Sequence, residues 1–209
     1  MSYQLGVDLG SAHLTAALVR RDGRVEPAPL SAGSGAIPAV VYLGADDSLL
    51  VGAAAQRRTL SDPDRAVLDP VGRVGDHTPL LVGGRPIAAE VLVARMVEHV
   101  VRTVATTTGE PPAALAVTHP APWGQHKIGA LRAALHAVGL DRSVLLAEPQ
   151  AAAERYAATT PVPTGGLLAV LDFGGGTCDV AVVRREPRGF ALVGGELARG
   201  RDIRPLGAG

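Results

Sequence analysis

Lysine is almost missing from this sequence: of its 20 basic residues 19 are Arg, and Lys127 is the one Lys. Any chemistry that asks for a side-chain amine must use that residue or do without. The lone cysteine, Cys178, excludes an intramolecular disulfide and any multi-cysteine metal site. Residues 1–10 lack the basic stretch and apolar run of a signal peptide, and no apolar segment approaches the roughly 20 residues that a membrane span needs. The expectation is a cytoplasmic chain with no membrane segment. Its 20 acidic residues cancel the 20 basic ones, and no run of Lys or Arg builds a basic face, which argues against nucleic acid or another polyanion as partner. The histidines, His13, His77, His99, His119, His126 and His136, fall without metal-ligand spacing and are read as surface or packing residues. What is present is an ordinary globular composition: 209 residues, 47% hydrophobic, enough for one large domain or two small ones.

Short apolar runs at 5–9 and 14–19 read as a β-hairpin, and Asp22-Gly23, a dipeptide that tolerates positive φ, turns the chain into a third strand near 24–27. Strands are expected at 37–43 and 48–51 and a helix at 52–60. The stretch 61–85 is rich in Pro, Gly and Asp and reads as loop, with one short strand near 80–82. Between 87 and 104, Val91, Leu92, Met96, Val97, Val100, Val101 and Val104 recur at helical spacing and predict the longest amphipathic helix, packed on a sheet. Strand 114–118, helix 125–138, strand 144–147 and helix 149–158 follow, then strands at 167–172, 178–184 and 190–193. Strands that alternate with helices and then run together indicate an α/β domain with a mixed sheet.

Offset by 164 positions, the run from Asp8 to Val19 coincides without a gap with the run from Asp172 to Val183. Each is an apolar strand that ends in Asp, turns through Gly with a hydroxyl nearby (Ser11, Thr177), and returns as an apolar strand. Small residues in such a turn let the backbone approach a ligand closely, so that successive amide N–H groups converge on phosphate oxygens. A bare carboxylate at the mouth, Asp8 or Asp172, would repel phosphate, so its expected purpose is to hold a hydrated Mg²⁺ that bridges to it. The alternative is a plain glycine turn in a hairpin. It fits Asp8-Leu9-Gly10-Ser11 as well as a phosphate loop does, and fits Phe173-Gly174-Gly175-Gly176-Thr177 poorly, because three glycines weaken a sheet unless exposed backbone is needed. Both turns lead into strands, which excludes a Walker-type loop and a dinucleotide fingerprint.

From about residue 4 to about 203 the chain resembles the nucleotide-binding part of the seventy-kilodalton heat-shock chaperones, ATPases of the actin and hexokinase superfamily. The residues that carry the resemblance are Val7-Asp8-Leu9-Gly10-Ser11, Ile37-Pro38-Ala39-Val40-Val41-Tyr42, Val117-Thr118-His119-Pro120-Ala121, Ala147-Glu148-Pro149-Gln150-Ala151-Ala152-Ala153, and Leu171-Asp172-Phe173-Gly174-Gly175-Gly176-Thr177-Cys178-Asp179-Val180. The resemblance implies an actin-like (ribonuclease H-like) α/β ATPase fold with a mixed five-stranded sheet. Residues 1–165 would form a first lobe with a small inserted subdomain at about 36–112, and 166–209 the incomplete beginning of a second. It implies ATP or ADP with Mg²⁺ as ligands, Asp8 and Asp172 holding the cation through its waters. Backbone at Gly10, Ser11 and Ala12 and at Gly174, Gly175, Gly176 and Thr177 would wrap the β- and γ-phosphates. Glu148 and Asp172 would orient the attacking water, and the hydroxyls of Ser11 and Thr177 would touch the γ-phosphate. Client polypeptides and cochaperones would engage regions not in this chain.

Two departures from the family's pattern bear on function. The family's lysine near the γ-phosphate falls, on the segment Leu68-Asp69-Pro70-Val71-Gly72-Arg73, at Val71, and Lys127, far along the chain after Trp123, is expected to be a poor substitute. Loss of a charge that stabilises the transition state costs about 3–4 kcal/mol at comparable sites, so hydrolysis is expected to be very slow or absent. In the segment Ala198-Arg199-Gly200-Arg201-Asp202-Ile203 the first of the family's two glycines is Arg199, and the residues of an adenosine pocket are not in this sequence. Three readings follow: a chaperone ATPase lobe, a scaffold that keeps the fold without catalysis, or another superfamily enzyme such as a sugar kinase or a filament-forming protein.

Overall fold

The computed structural model describes residues 2–31, 34–175 and 177–199. The chain opens on β1 (Tyr3–Leu9) and β2 (His13–Arg20), an antiparallel hairpin that buries Tyr3, Leu5, Val7 and Leu9 from one strand and Leu14, Ala16 and Leu18 from the other. This period of two is what a strand with one face in a core requires. After the turn at Gly23 (φ 82°), β3 (Val25–Pro27) pairs with β2, and β4 (Ala36–Pro38) pairs with the opposite end of β2. A small sheet of β5 (Val40–Leu43), β6 (Leu49–Val51) and β7 (Ala66–Leu68) carries the short helix α1 (Ala53–Gln56). Two 3-10 turns, Pro63–Arg65 and Val71–Arg73, and a hairpin of β8 (Leu80–Val82) and β9 (Arg85–Ile87) lead to the long helix α2 (Ala89–Thr108). Next come β10 (Ala114–His119), α3 (Gln125–Ala137), β11 (Val144–Ala147) and α4 (Glu148–Ala157), and then β12 (Leu167–Phe173), β13 (Thr177–Arg185) and β14 (Phe190–Arg199).

The central sheet has the order β11-β10-β1-β2-β3, with β4 beside β2 as a sixth strand. β10 and β11 run parallel to β1, whereas β2 is antiparallel to it, so the sheet is mixed, as the sequence indicated. Parallel neighbours need long crossovers, and α3 supplies the one between β10 and β11. α2 buries Leu92, Val93, Met96, Val97, Val100 and Val104 in the main core, which it shares with Leu131 and Leu135 of α3. It ends at Gly109 (φ 81°), whose left-handed backbone lets its N–H reach the Ala105 carbonyl.

β12, β13 and β14 form a separate antiparallel sheet. α4 packs against all three of its strands and also against β10 and β11, with Ala153, Val183 and Phe190 in a small core of their own. Gln150 reinforces this junction: its amide donates to the Phe190 carbonyl at 2.6 Å, and its carbonyl accepts from the Ala147 N–H at 3.1 Å. The two glycine-turn hairpins are thus held in fixed relation by one helix.

The elements differ from expectation in several places: the strand expected at 37–43 is split at Ala39 into β4 and β5, which belong to different sheets, and β9 adds a partner to the one short strand expected near 80–82. The helix expected at 52–60 is only Ala53–Gln56, because residues 57–62 close as turns ahead of Pro63. The expected loop contains a further strand, β7, which exists only because β5 pairs with it across more than 20 residues, with Val40 opposite Leu68. Among the described residues no helix is long and apolar enough to cross a membrane.

Candidate functional site

The ends of β1 and β12 meet at one cleft of about 300 Å³. Asp8 and Asp172 are each the penultimate residue of their strands, and each faces a cross-strand partner at the equivalent position of its hairpin, Thr15 and Asp179. Of the residues expected at a site, Asp8, Gly10, Ser11, Ala12, Glu148, Asp172, Gly174, Gly175 and Thr177 all line this cleft. Gly176 lies outside the described residues, as does the segment from Gly200 onward.

The turns need their glycines for space. A Cβ on Gly10 would stand 2.6 Å from the His13 carbonyl oxygen, and one on Gly175 would stand 2.6 Å from the Cβ of Ala12 in the opposite turn. Both distances are shorter than atoms tolerate, so the two turns approach each other as closely as bare backbone permits. The first turn is fastened from behind by the Ala39 N–H, which donates to the Ala12 carbonyl at 2.9 Å, and the second closes on itself through the Gly174 N–H and the Thr177 carbonyl at 2.9 Å.

Around the turns the cleft is acidic. Asp8, Asp69, Glu148, Asp172 and Asp179 all line it, against Lys127 as the one Lys or Arg among the described residues. Burial raises the Asp8 carboxyl above its ordinary range; the Thr118 hydroxyl, which donates to it at 2.6 Å, pulls the other way, and Asp172 pushes it up further. Glu148, at the first position of α4, is pushed up to about 8 by burial and then by the charges of Asp8, Asp179 and Asp172. Asp179 is raised by burial and by Asp172, with the Thr177 hydroxyl opposing, and its Oδ1 is buried without a hydrogen-bond partner. Buried acids held above their ordinary range, Glu148 as far as about 8 and Asp179 with an orphaned oxygen, suit a place where a cation with its water shell neutralises them. Among the described residues no three acidic, imidazole or thiol groups converge as direct metal ligands.

Replacing Thr118 by Val removes the hydroxyl that bridges β10 to β1; it also accepts from the Leu9 N–H at 3.3 Å. The variant is expected to lose roughly 1–3 kcal/mol of stability near neutral pH, and its Asp8 pKa to rise further, read by carbon-13 titration of the carboxyl.

Several lining residues escaped the sequence reading. Asp179 could have been found, since the 164-residue offset that equates Asp8 with Asp172 also equates Thr15 with Asp179. Trp123, just ahead of α3, stacks on His119 with ring centroids 5.7 Å apart and forms part of the wall. Val71 lines the cleft, and Lys127, far from it along the chain, lines the same cleft.

The model of the family described as Hsp70 protein matches residues 75–193. The chaperone protein DnaK of Cenarchaeum symbiosum (strain A) is 28% identical over 187 residues, 88% of this chain and 28% of that protein. The chaperone protein DnaK of Elusimicrobium minutum (strain Pei191) is 29% identical over 193 residues, 90% of this chain and 31% of that protein. That of Thermoplasma volcanium is 28% identical over 192 residues, again 90% and 31%. The chain spans less than a third of the length of these relatives. The mixed sheet with its flanking helices is accordingly the actin-like ATPase fold. With more than half of its residues matched, from the loop before α2 into β14, the chain belongs to the Hsp70 family.

Proposed function

We propose that this chain binds a magnesium nucleotide, ATP or ADP, between its two glycine turns, as the nucleotide-binding part of a chaperone, and that it hydrolyses ATP very slowly or not at all. The observation that carries the reading is the contact of Gly175 with Ala12 above a cluster of carboxylates: two backbone cradles and the acids that would hold a hydrated cation open on one cleft. Backbone N–H groups from Gly10 to Ala12 and at Gly174, Gly175 and Thr177 would take the phosphate oxygens, and Asp8 and Asp172 the waters of Mg²⁺. When bound, the cation neutralises charge on the phosphates. Glu148 and Asp172 would orient a water by accepting hydrogen bonds from it, with the Thr177 hydroxyl on the terminal phosphate. Residues 1–165 would act as the first lobe and the β12–β14 sheet as the start of the second.

The low turnover follows from Val71. An aliphatic side chain, 2% exposed and part of the main core, occupies the wall where a cation would stabilise transferring phosphate. A module that holds nucleotide as a scaffold is therefore the second reading, and Val71 is what favours it.

Calorimetric titration with Mg·ATP and Mg·ADP tests binding, with Asp172→Ala as the decisive variant. Asp172 is exposed at the end of its strand, so its removal should leave the fold intact. The unaltered chain is expected to give binding heat that disappears in the variant. Equal heats, or none from either protein, would remove the nucleotide reading.

A further inference from the structure

Resting on the nucleotide reading, we propose that Lys127 is a positioning residue for polyphosphate, the side chain that places the cleft's one ammonium group against the phosphate chain. Five carboxylates line the cleft, and among the described residues Lys127 is the only Lys or Arg that lines it. A polyphosphate brought into such walls meets repulsion on every side that the backbone cradles do not cover, except at this residue and at whatever cation travels with it.

The fold goes to some length to hold the side chain there. Lys127 is the third residue of α3, where a cation opposes the helix dipole, and no acidic residue in that first turn offsets it. Helix stability therefore gives no account of a lysine at this position. Its stem is pinned on two sides. On one, the ammonium stands 6.0 Å from the Trp123 ring centroid. On the other, its Cγ lies 2.9 Å from where a Cβ on Gly75 would be, and Gly75 (φ 75°) is left-handed, so the close approach depends on glycine. The neighbouring His126 ring nitrogen bonds to the Gly75 carbonyl at 3.1 Å. Gly75 follows directly on the turn that carries Val71 and Gly72 into the cleft wall. The loop and the helix start are thus clasped together, and Val71 and Lys127, one from each, line the same cleft. Among the described residues no carboxylate forms an ion pair with Lys127, and the side chain is half-buried, so the ammonium is available to a ligand.

Because the chain has one lysine, amine acylation reports on this residue and the N-terminus alone. The rate of acetylation at Lys127 by an N-hydroxysuccinimide ester, followed by peptide mass spectrometry, is measured for the free chain and with Mg·ATP, Mg·tripolyphosphate or adenosine. Concentrations are set by calorimetry on the same protein. Mg·ATP and Mg·tripolyphosphate are expected to slow acetylation severalfold, and adenosine to leave it unchanged. In parallel, Lys127→Met should weaken Mg·ATP binding roughly tenfold while Lys127→Arg keeps most of the affinity, with circular dichroism confirming that both fold. Calorimetric binding of Mg·ATP with an unchanged acetylation rate and an unaffected Met variant overturns the role of Lys127 and leaves the nucleotide reading standing. Protection by adenosine equal to that by ATP also overturns it, since the base and not the phosphates would then cover the amine. Absence of any binding by the unaltered chain overturns both readings.

Discussion

Gly175→Ala is expected to weaken Mg·ATP binding by about 100-fold while leaving the thermal stability of the chain nearly unchanged. The added methyl would stand 2.6 Å from the Ala12 Cβ, a distance at which one of the two turns must move. Ala12 has little freedom to do so: its carbonyl is held by the Ala39 N–H at 2.9 Å, and Gly10, two residues earlier, is wedged against the His13 carbonyl. The turns must part by about an ångström to restore ordinary contact, and a shift of that size is enough to misplace donors aimed at phosphate oxygens. Gly175 is exposed and outside the left-handed region, so alanine suits its backbone and the core loses nothing. The loss should therefore be undone by Ala12→Gly, which removes the methyl on the other side. Titration calorimetry of both single variants and the double variant forms a cycle in which the two changes are strongly non-additive. Failure of Ala12→Gly to restore affinity would show that the cleft does not work by close approach of its turns.

Periodicity made most of this fold legible, and long-range pairing concealed the rest. Alternating burial in β1 and β2 and the helical spacing of Val91 to Val104 are local signals, and the structure follows both, except that Val91 is exposed and Val93 is buried in the core. The offset that equates Asp8 with Asp172 is an internal comparison, and it located both turns of the cleft because each hairpin repeats the other's register. β7 left no such trace: three residues acquire strand geometry from a partner more than 20 positions away. Thr118 reaches Asp8 because β10 is the parallel neighbour of β1, a pairing that nothing in either strand announces. That Lys127 lines the same cleft as Val71 was hidden for a related reason. Its distance from Val71 along the chain is bridged by the clasp of His126 on Gly75, a side-chain contact with no sequence pattern. Glu148 was recognised from its motif, but its raised pKa could not be, because that depends first on burial in the folded chain and then on three carboxylates brought in from β1, β12 and β13.

Protonation of Glu148 leads to the second large effect. Its pKa rises from the ordinary 4.5 to about 8 on folding, chiefly through burial and then through Asp8, Asp179 and Asp172. Below pH 4.5 the folded and unfolded chains both carry the proton, and Glu148 contributes nothing to the pH dependence. Between pH 4.5 and 8 the unfolded chain gives up a proton that the folded chain retains, so stability falls as pH rises, and above 8 the loss levels off. Across that window the cost is on the order of 3–5 kcal/mol. Glu148→Gln, uncharged throughout, escapes it. The variant should match the unaltered chain at pH 4.5 and exceed it at pH 8, with a melting temperature higher by about 10 °C. Raised values at Asp8 and Asp179 give the unaltered chain a slope of the same sign, which the variant keeps in weaker form because one of the charges responsible is gone. A magnesium nucleotide should act in the opposite direction, since a cation beside these acids favours their ionised forms. Binding at pH 7 is therefore expected to release on the order of one proton, seen as a dependence of binding enthalpy on the buffer's ionisation enthalpy, and to release less in Glu148→Gln. Superimposable melting curves of the two proteins at pH 8 would mean that Glu148 is ionised and solvated, and that the acids around the turns do not form one electrostatic unit.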